Sequence, residues 1–143
     1  MRPPALRDSL SDHAVSAGGA RVETWPTLLL VDDDPQMLST LVCYFERRGF
    51  HVAPATNLAE AKVLYPRCKR WTLVLSDYHL PDGTGAELSE WLREQRGDHP
   101  PFLLMSGSVM EDLGSLGVPF LAKPFALEEL EARVRVLLRG GAH

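Results

Sequence analysis

The sequence predicts an α/β protein built on a doubly wound, five-stranded parallel sheet, and three observations carry that prediction. Short apolar runs occur five times along the chain, alternating with segments whose apolar residues recur at helical spacing. The runs "LLLV", "LVL" and "FLLM" are almost unbroken, as they are in strands covered by helices on both faces. Four of the five runs end in, or just before, a polar residue able to do chemistry. Open sheets of this class bind their ligands at that end.

The elements follow in order. Residues 27–32, beginning "TLLLV", form the first strand, and Asp34 caps a helix whose first turn contains Pro35. Met37, Leu38, Leu41, Val42 and Phe45 share one helical face, and Gly49 stops the helix. Residues 50–55, "FHVAPA", form the second strand, and Pro54 assigns it to a sheet edge, where a missing N–H is tolerated. "NLAE" supplies an N-cap at Asn57 with Glu60 at the capping-box position, opening a helix to about Tyr65. Residues 72–77, "TLVLSD", form the third strand, and "YHLPDGTG" is a loop by its Pro and Gly content. Leu88, Trp91 and Leu92 mark a third helix ending near Gly97. Residues 101–106 and 118–122 form the last two strands, with a short helical segment at 109–116 between them. The final helix, 126–139, places Leu127, Leu130, Val134, Leu137 and Leu138 on one face.

Residues 1–24 are rich in Ala, Ser, Gly and Pro, too poor in large apolar groups to offset the entropy of ordering, and are expected to be a tail or linker. The remaining 25–143 make one domain. With 143 residues, 45% hydrophobic and 24% charged, the chain is long enough for one substantial core. Its net charge of −4 offers no global basic footprint for nucleic acid. No apolar run approaches a membrane span or a secretory signal, so a cytoplasmic protein is expected. Cys43 and Cys68 have no metal-ligand or redox spacing and are expected to be reduced thiols with packing roles.

The polar strand ends carry the functional argument. Asp32 and Asp33 follow the first strand, Asp77 ends the third, Ser106 ends the fourth, and Lys123 follows the fifth. If the first and third strands are neighbours, three carboxylates converge, and such a site must shift its pKa values or bind a cation. Oxygen ligands, few in number and leaving room for water, suit Mg²⁺. A metal beside a carboxylate, a hydroxyl and a lysine points to phosphoryl chemistry, because aspartate can accept a phosphoryl group covalently.

In these residues the sequence resembles a response-regulator receiver domain, the phosphoacceptor of two-component signalling. "LLLVDDDP", "LVLSDYHLPDGTG", "LLMSGS" and "FLAKPF" stand in the family's order with family-like spacing, from about Thr27 to Arg139. The resemblance implies a flavodoxin-like strand order 2-1-3-4-5. It implies Asp77 as the phosphorylated residue, Asp33 as a direct ligand of Mg²⁺ or Mn²⁺, Asp32 as the holder of metal-bound water, and the backbone carbonyl of His79 as a further ligand. Ser106 fills the switch hydroxyl position, Lys123 the family lysine and Phe120 the switch aromatic. His79 and Ser108 fall where the family tunes hydrolysis, and Lys123–Pro124 is the bond it usually holds cis. Asp34, the third of the triplet, is assigned to helix capping alone.

The implied partners are a histidine kinase or histidine phosphotransfer protein upstream, and downstream a separate output protein or a kinase core in the same chain. Neither nucleic acid nor membrane is an expected direct partner. The fourth helical segment, at 109–116, is shorter than the family's and weakened by Gly114 and Gly117, so dimerisation through that face is not expected. The chain ends at His143, soon after the last helix, and no output domain is expected to follow. Three alternatives compete: a Mg²⁺-dependent aspartyl-phosphate phosphatase of haloacid-dehalogenase type, a receiver excised from a hybrid histidine kinase, and a degenerate receiver that only docks partners, against which the intact Asp33, Asp77, Ser106 and Lys123 argue.

Overall fold

The structure is a computed structural model, and it describes residues 25–95, 97–107 and 117–139. In chain order the main elements are β1 (Thr27–Val31), α1 (Pro35–Arg47), β2 (His51–Ala55), α2 (Leu58–Leu64), β3 (Leu73–Asp77), α3 (Gly85–Arg93), β4 (Phe102–Ser106), β5 (Phe120–Ala122) and α4 (Leu127–Arg139). The five strands form one sheet in the order β2-β1-β3-β4-β5, and every pairing in it is parallel. The doubly wound fold and the predicted strand order are both present.

Side chains alternate across the sheet, and each face has its own core. Leu28, Leu30, Leu73, Leu75, Leu103 and Met105 pack with Leu38, Leu41 and Phe45 of α1 and Leu130 and Val134 of α4. Leu29, Val31, Val74 and Leu104 face the other way, against Leu58 and Ala61 of α2 and Leu88 and Leu92 of α3. That division explains the unbroken apolar runs. Leu28, Leu29, Leu30 and Val31 are all fully buried, and each such side chain contributes roughly 1.5–3 kcal/mol.

Local chemistry sets the boundaries. Asp34 Oδ1 accepts from the Gln36 amide at 3.0 Å, capping α1, and Gly49 takes φ +93° beyond its end. Pro54 lies on β2 at the sheet edge, its side chain exposed. Asn57 caps α2 through Glu60 N, but Glu60 Oε1 returns to the amide and hydroxyl of Thr56 rather than to the cap residue's own amide. α2 stops at Leu64 and tightens into a 3₁₀ turn over Tyr65–Arg67, where Pro66 has no N–H to continue the α pattern.

Three elements differ from the sequence expectation. α3 ends at Arg93, not near Gly97, because the apolar face runs out after Leu92 and Gln95 Nε2 turns back to the Trp91 carbonyl. β5 starts at Phe120 rather than Val118, since Pro119 brings a carbonyl to Leu104 N but has no N–H of its own to pair. The expected loop 78–85 contains a short antiparallel ribbon, His79–Leu80 against Gly83–Thr84. Cys43 is a further correction: it is exposed on α1 and packs no core, whereas Cys68 is half-buried and donates to the Arg70 carbonyl. The expected helical segment at 109–116, Ser108 and the 1–24 tail lie outside the described residues. Among those described, no helix is long and apolar enough to cross a membrane.

Candidate functional site at the strand ends

The sheet order makes β1 and β3 neighbours, so their carboxyl ends release Asp32, Asp33 and Asp77 side by side. Each carboxylate offers one oxygen, and those oxygens lie within 4.8 Å of one another. At that range each pair of like charges repels by about 3 kcal/mol at an effective dielectric of about 20. Asp32 is fully buried, Asp77 is 8% exposed, and Asp33 faces solvent. Burial pushes the carboxyls of Asp32 and Asp77 above the usual range, and Lys123 pulls both back only in part.

Backbone bonds hold this cluster. The Asp32 amide donates to Ala55 O at 3.0 Å, and Asp32 Oδ1 accepts from the Asp34 amide at 2.9 Å. The first aspartate of the triplet thus shapes the turn whose third member caps α1. Ser76 Oγ donates to the Asp77 carbonyl at 2.9 Å, and Tyr78 N donates to Met105 O at 2.7 Å. Gly85 fits beneath that carbonyl: a Cβ there would lie 2.5 Å from Asp77 O and 2.6 Å from Leu104 Cδ1. Backbone cannot yield as a flexible side chain can, so this position needs glycine.

Lys123 reaches the cluster from the end of β5. Its Nζ lies 3.4 Å from Asp32 Oδ2 and 3.5 Å from Asp77 Oδ2. Its amide donates to Ser106 O at 2.7 Å, which ties the ends of β4 and β5 together, and the Lys123–Pro124 peptide is cis. Ser106 is buried at the end of β4. Phe120 is half-buried against the α2–α3 core, and its carbonyl accepts from Arg133 Nη2 at 2.7 Å. His79 is exposed, its ring edge-on to Tyr78 at 4.9 Å between centroids.

A family model of the response regulator receiver domain matches residues 28–135. The chain belongs to that family. The transcriptional regulatory protein PmrA of Pectobacterium parmentieri is 38% identical to this receiver domain over 117 residues, 78% of the chain and 52% of that protein. The chain thus spans about half the length of such curated relatives. The receiver domain of HemR from Leptospira biflexa superimposes with a TM-score of 0.69 at 35% identity, covering 79% of this chain and 94% of that one. TrrA of Thermotoga maritima, solved in complex with Mg²⁺ and BeF, gives a TM-score of 0.69 at 26% identity over 79% of this receiver domain and 99% of TrrA. The phosphatase alternative finds no support in these comparisons.

The donor set fits a divalent cation. Its side-chain donors among the described residues are carboxylate oxygens at the strand ends, with Asp33 on the solvent side where water can complete a shell. Two features escaped the sequence reading. Asp82, seen there only as loop, accepts from Leu58 N and Ala59 N of α2 at 2.7 and 3.0 Å. Gly85 looked like a turn glycine, and nothing in its neighbours announces the carbonyl above it.

Proposed function

We propose that this receiver domain is a signalling switch that takes a phosphoryl group from a histidine kinase or histidine phosphotransfer protein onto Asp77. The observation that carries the reading is Lys123 Nζ poised between Asp32 and Asp77, at 3.4 and 3.5 Å, inside a three-carboxylate cluster. A carboxylate oxygen of Asp77 attacks phosphorus, the bond to the donor's imidazole nitrogen breaks, and that nitrogen leaves with its electron pair. An acyl phosphate results.

Asp32, Asp33, Asp77 and the His79 carbonyl are the groups that would hold Mg²⁺ or Mn²⁺. Such an ion, when bound, supplies positive charge to phosphoryl oxygens during transfer. Lys123 turns from its carboxylate partners to the arriving phosphoryl oxygens. Ser106 donates its hydroxyl to another, drawing the end of β4 inward, and Phe120 on the neighbouring strand β5 responds. The altered surface is seen by a protein partner, either separate or in the same chain. His79 and Ser108 control the water that later cleaves the acyl phosphate, so the domain assists its own dephosphorylation.

Acetyl phosphate with Mg²⁺ should place one phosphoryl group per chain, at Asp77, as read by intact mass and peptide mapping. Asp77→Asn, or chelation of the metal, should abolish the label. Labelling of Asp77→Asn equal to wild type overturns the assignment.

A further inference from the structure

The first amides of a helix have no partner within it. In α2 three of them are satisfied by two side chains. Asn57 Oδ1 takes Glu60 N at 2.7 Å, as an ordinary cap does. Leu58 N and Ala59 N donate instead to Asp82 Oδ1 and Oδ2, from a residue more than twenty positions further along. Both oxygens of one carboxylate therefore grip one helix turn, and those bonds hold the Asp82 carboxyl below its usual range.

Asp82 stands at the tip of the ribbon His79–Leu80/Gly83–Thr84, which leaves the sheet immediately after Asp77. The base of the ribbon is fixed independently: Tyr78 N donates to Met105 O, and Gly85 N donates to Tyr78 O, both at 2.7 Å. Leu80 is buried in the α2–α3 core. Gly83 runs so near α2 that a Cβ there would lie 2.7 Å from Leu58 Cδ2. The His79 peptide hangs between a base on β4 and α3 and a tip on α2. Without Asp82, the tip loses its only hydrogen-bonded tie to α2 among those the described residues show.

We propose that Asp82 is a positioning residue for the phosphoryl site. By tethering the ribbon tip to α2 it fixes the His79 peptide, and so sets both cation affinity and the lifetime of the phosphoryl group on Asp77. The proposal rests on the receiver function above. A helix cap alone would contribute stability and nothing more, and Asn57 is the internal control: its side chain caps the same turn of α2 through Glu60 N, a residue of the helix itself and not of the ribbon.

The experiment compares wild type, Asp82→Ala, Asp82→Asn and Asn57→Ala. Both alanine variants lose a cap on α2, so both should lower the thermal midpoint. Only Asp82→Ala should weaken Mg²⁺ binding, measured by calorimetry with no phosphodonor present, by about tenfold, the low end of effects from groups that orient ligands. It should also hasten loss of the phosphoryl group from Asp77 by a similar factor. Asp82→Asn keeps one acceptor oxygen and should fall between, and it serves the same comparison if the alanine variant does not fold. Affinity and lifetime within about twofold of Asn57→Ala would reduce Asp82 to a cap and overturn the proposal. Failure of wild type to take a phosphoryl group would instead strike the receiver reading, and the calorimetric comparison would still decide the role of Asp82.

Discussion

Two charged clusters in this domain are built on opposite terms. At the strand ends, Asp32 and Asp77 crowd Asp33 and share Lys123, at distances of 3.4 and 3.5 Å, longer than good charged hydrogen bonds. Between α1 and α4, Glu131 Oε1 accepts from Tyr44 Oη at 2.6 Å and Arg48 Nε at 3.0 Å. Its other oxygen takes two bonds from Arg135, at 3.0 and 3.2 Å. Burial dominates the first cluster and pushes its carboxyls up; hydrogen bonding to Tyr44 dominates the second and pulls Glu131 down. The helix-face cluster fastens two helices together. The strand-end cluster sets three carboxylates against one lysine among the described residues, a cost that the proposed binding of a cation and a phosphoryl group would offset.

The largest effect expected from breaking this contrast comes from Lys123→Ala. Removing the cation that Asp32 and Asp77 share strands two buried carboxylates, which should cost about 2 kcal/mol in chelator, somewhat below the range for fully buried pairs. Mg²⁺ should restore part of it, because an ion bound only by the folded state stabilises by mass action. Thermal melts with and without Mg²⁺ test both halves. A variant as stable as wild type in chelator would show that the cluster is not strained.

A smaller effect is expected from Glu131→Gln. It removes a charge accepting four hydrogen bonds, but on a surface where solvent screens the interaction, so about 1 kcal/mol is a fair expectation. The loss should be the same with or without Mg²⁺. A loss that vanished on adding Mg²⁺ would couple the two clusters and erase the distinction drawn between them.

How much of each cluster was legible in the sequence follows from what holds it. Asp32, Asp33, Asp77, Ser106 and Lys123 terminate apolar runs, so the sheet's topology alone is enough to bring them together. Their roles rested on the family resemblance, and the strand lengths erred only by a residue or two. Glu131 and Tyr44 sit on helix faces 87 residues apart, and neither helix's periodicity says which exposed positions will meet. Asp82 was hidden for a similar reason: turn composition explains an aspartate beside Gly83 well enough, and nothing local reveals a helix terminus waiting across the surface. Gly85 needs no side chain because of the Asp77 carbonyl, a contact created by packing α3 on β3. Patterns within an element, and the convergence of strand ends that follows from the sheet order, were readable; side-chain contacts of helix faces and loops with other elements were not.

The smallest expected effect is in pH dependence, where the two clusters should carry opposite signs. Glu131 has its folded pKa depressed, so its contribution is complete above the unfolded carboxylate value and is lost as pH falls through the folded value. Asp32 and Asp77 have theirs raised by burial, so in metal-free protein stability falls as pH climbs from the unfolded value through the raised one. Glu131→Gln should therefore flatten the acid limb of a stability profile taken in chelator, while Asp32→Asn with Asp77→Asn should flatten the limb just above the ordinary carboxylate range. Each change should amount to about 2 °C in thermal midpoint per pH unit. Saturating Mg²⁺, by favouring the ionised carboxylates, should remove the second limb and leave the first. If both limbs respond to Mg²⁺, or neither substitution alters its own limb, the two clusters do not divide the charge of this domain as their geometry indicates.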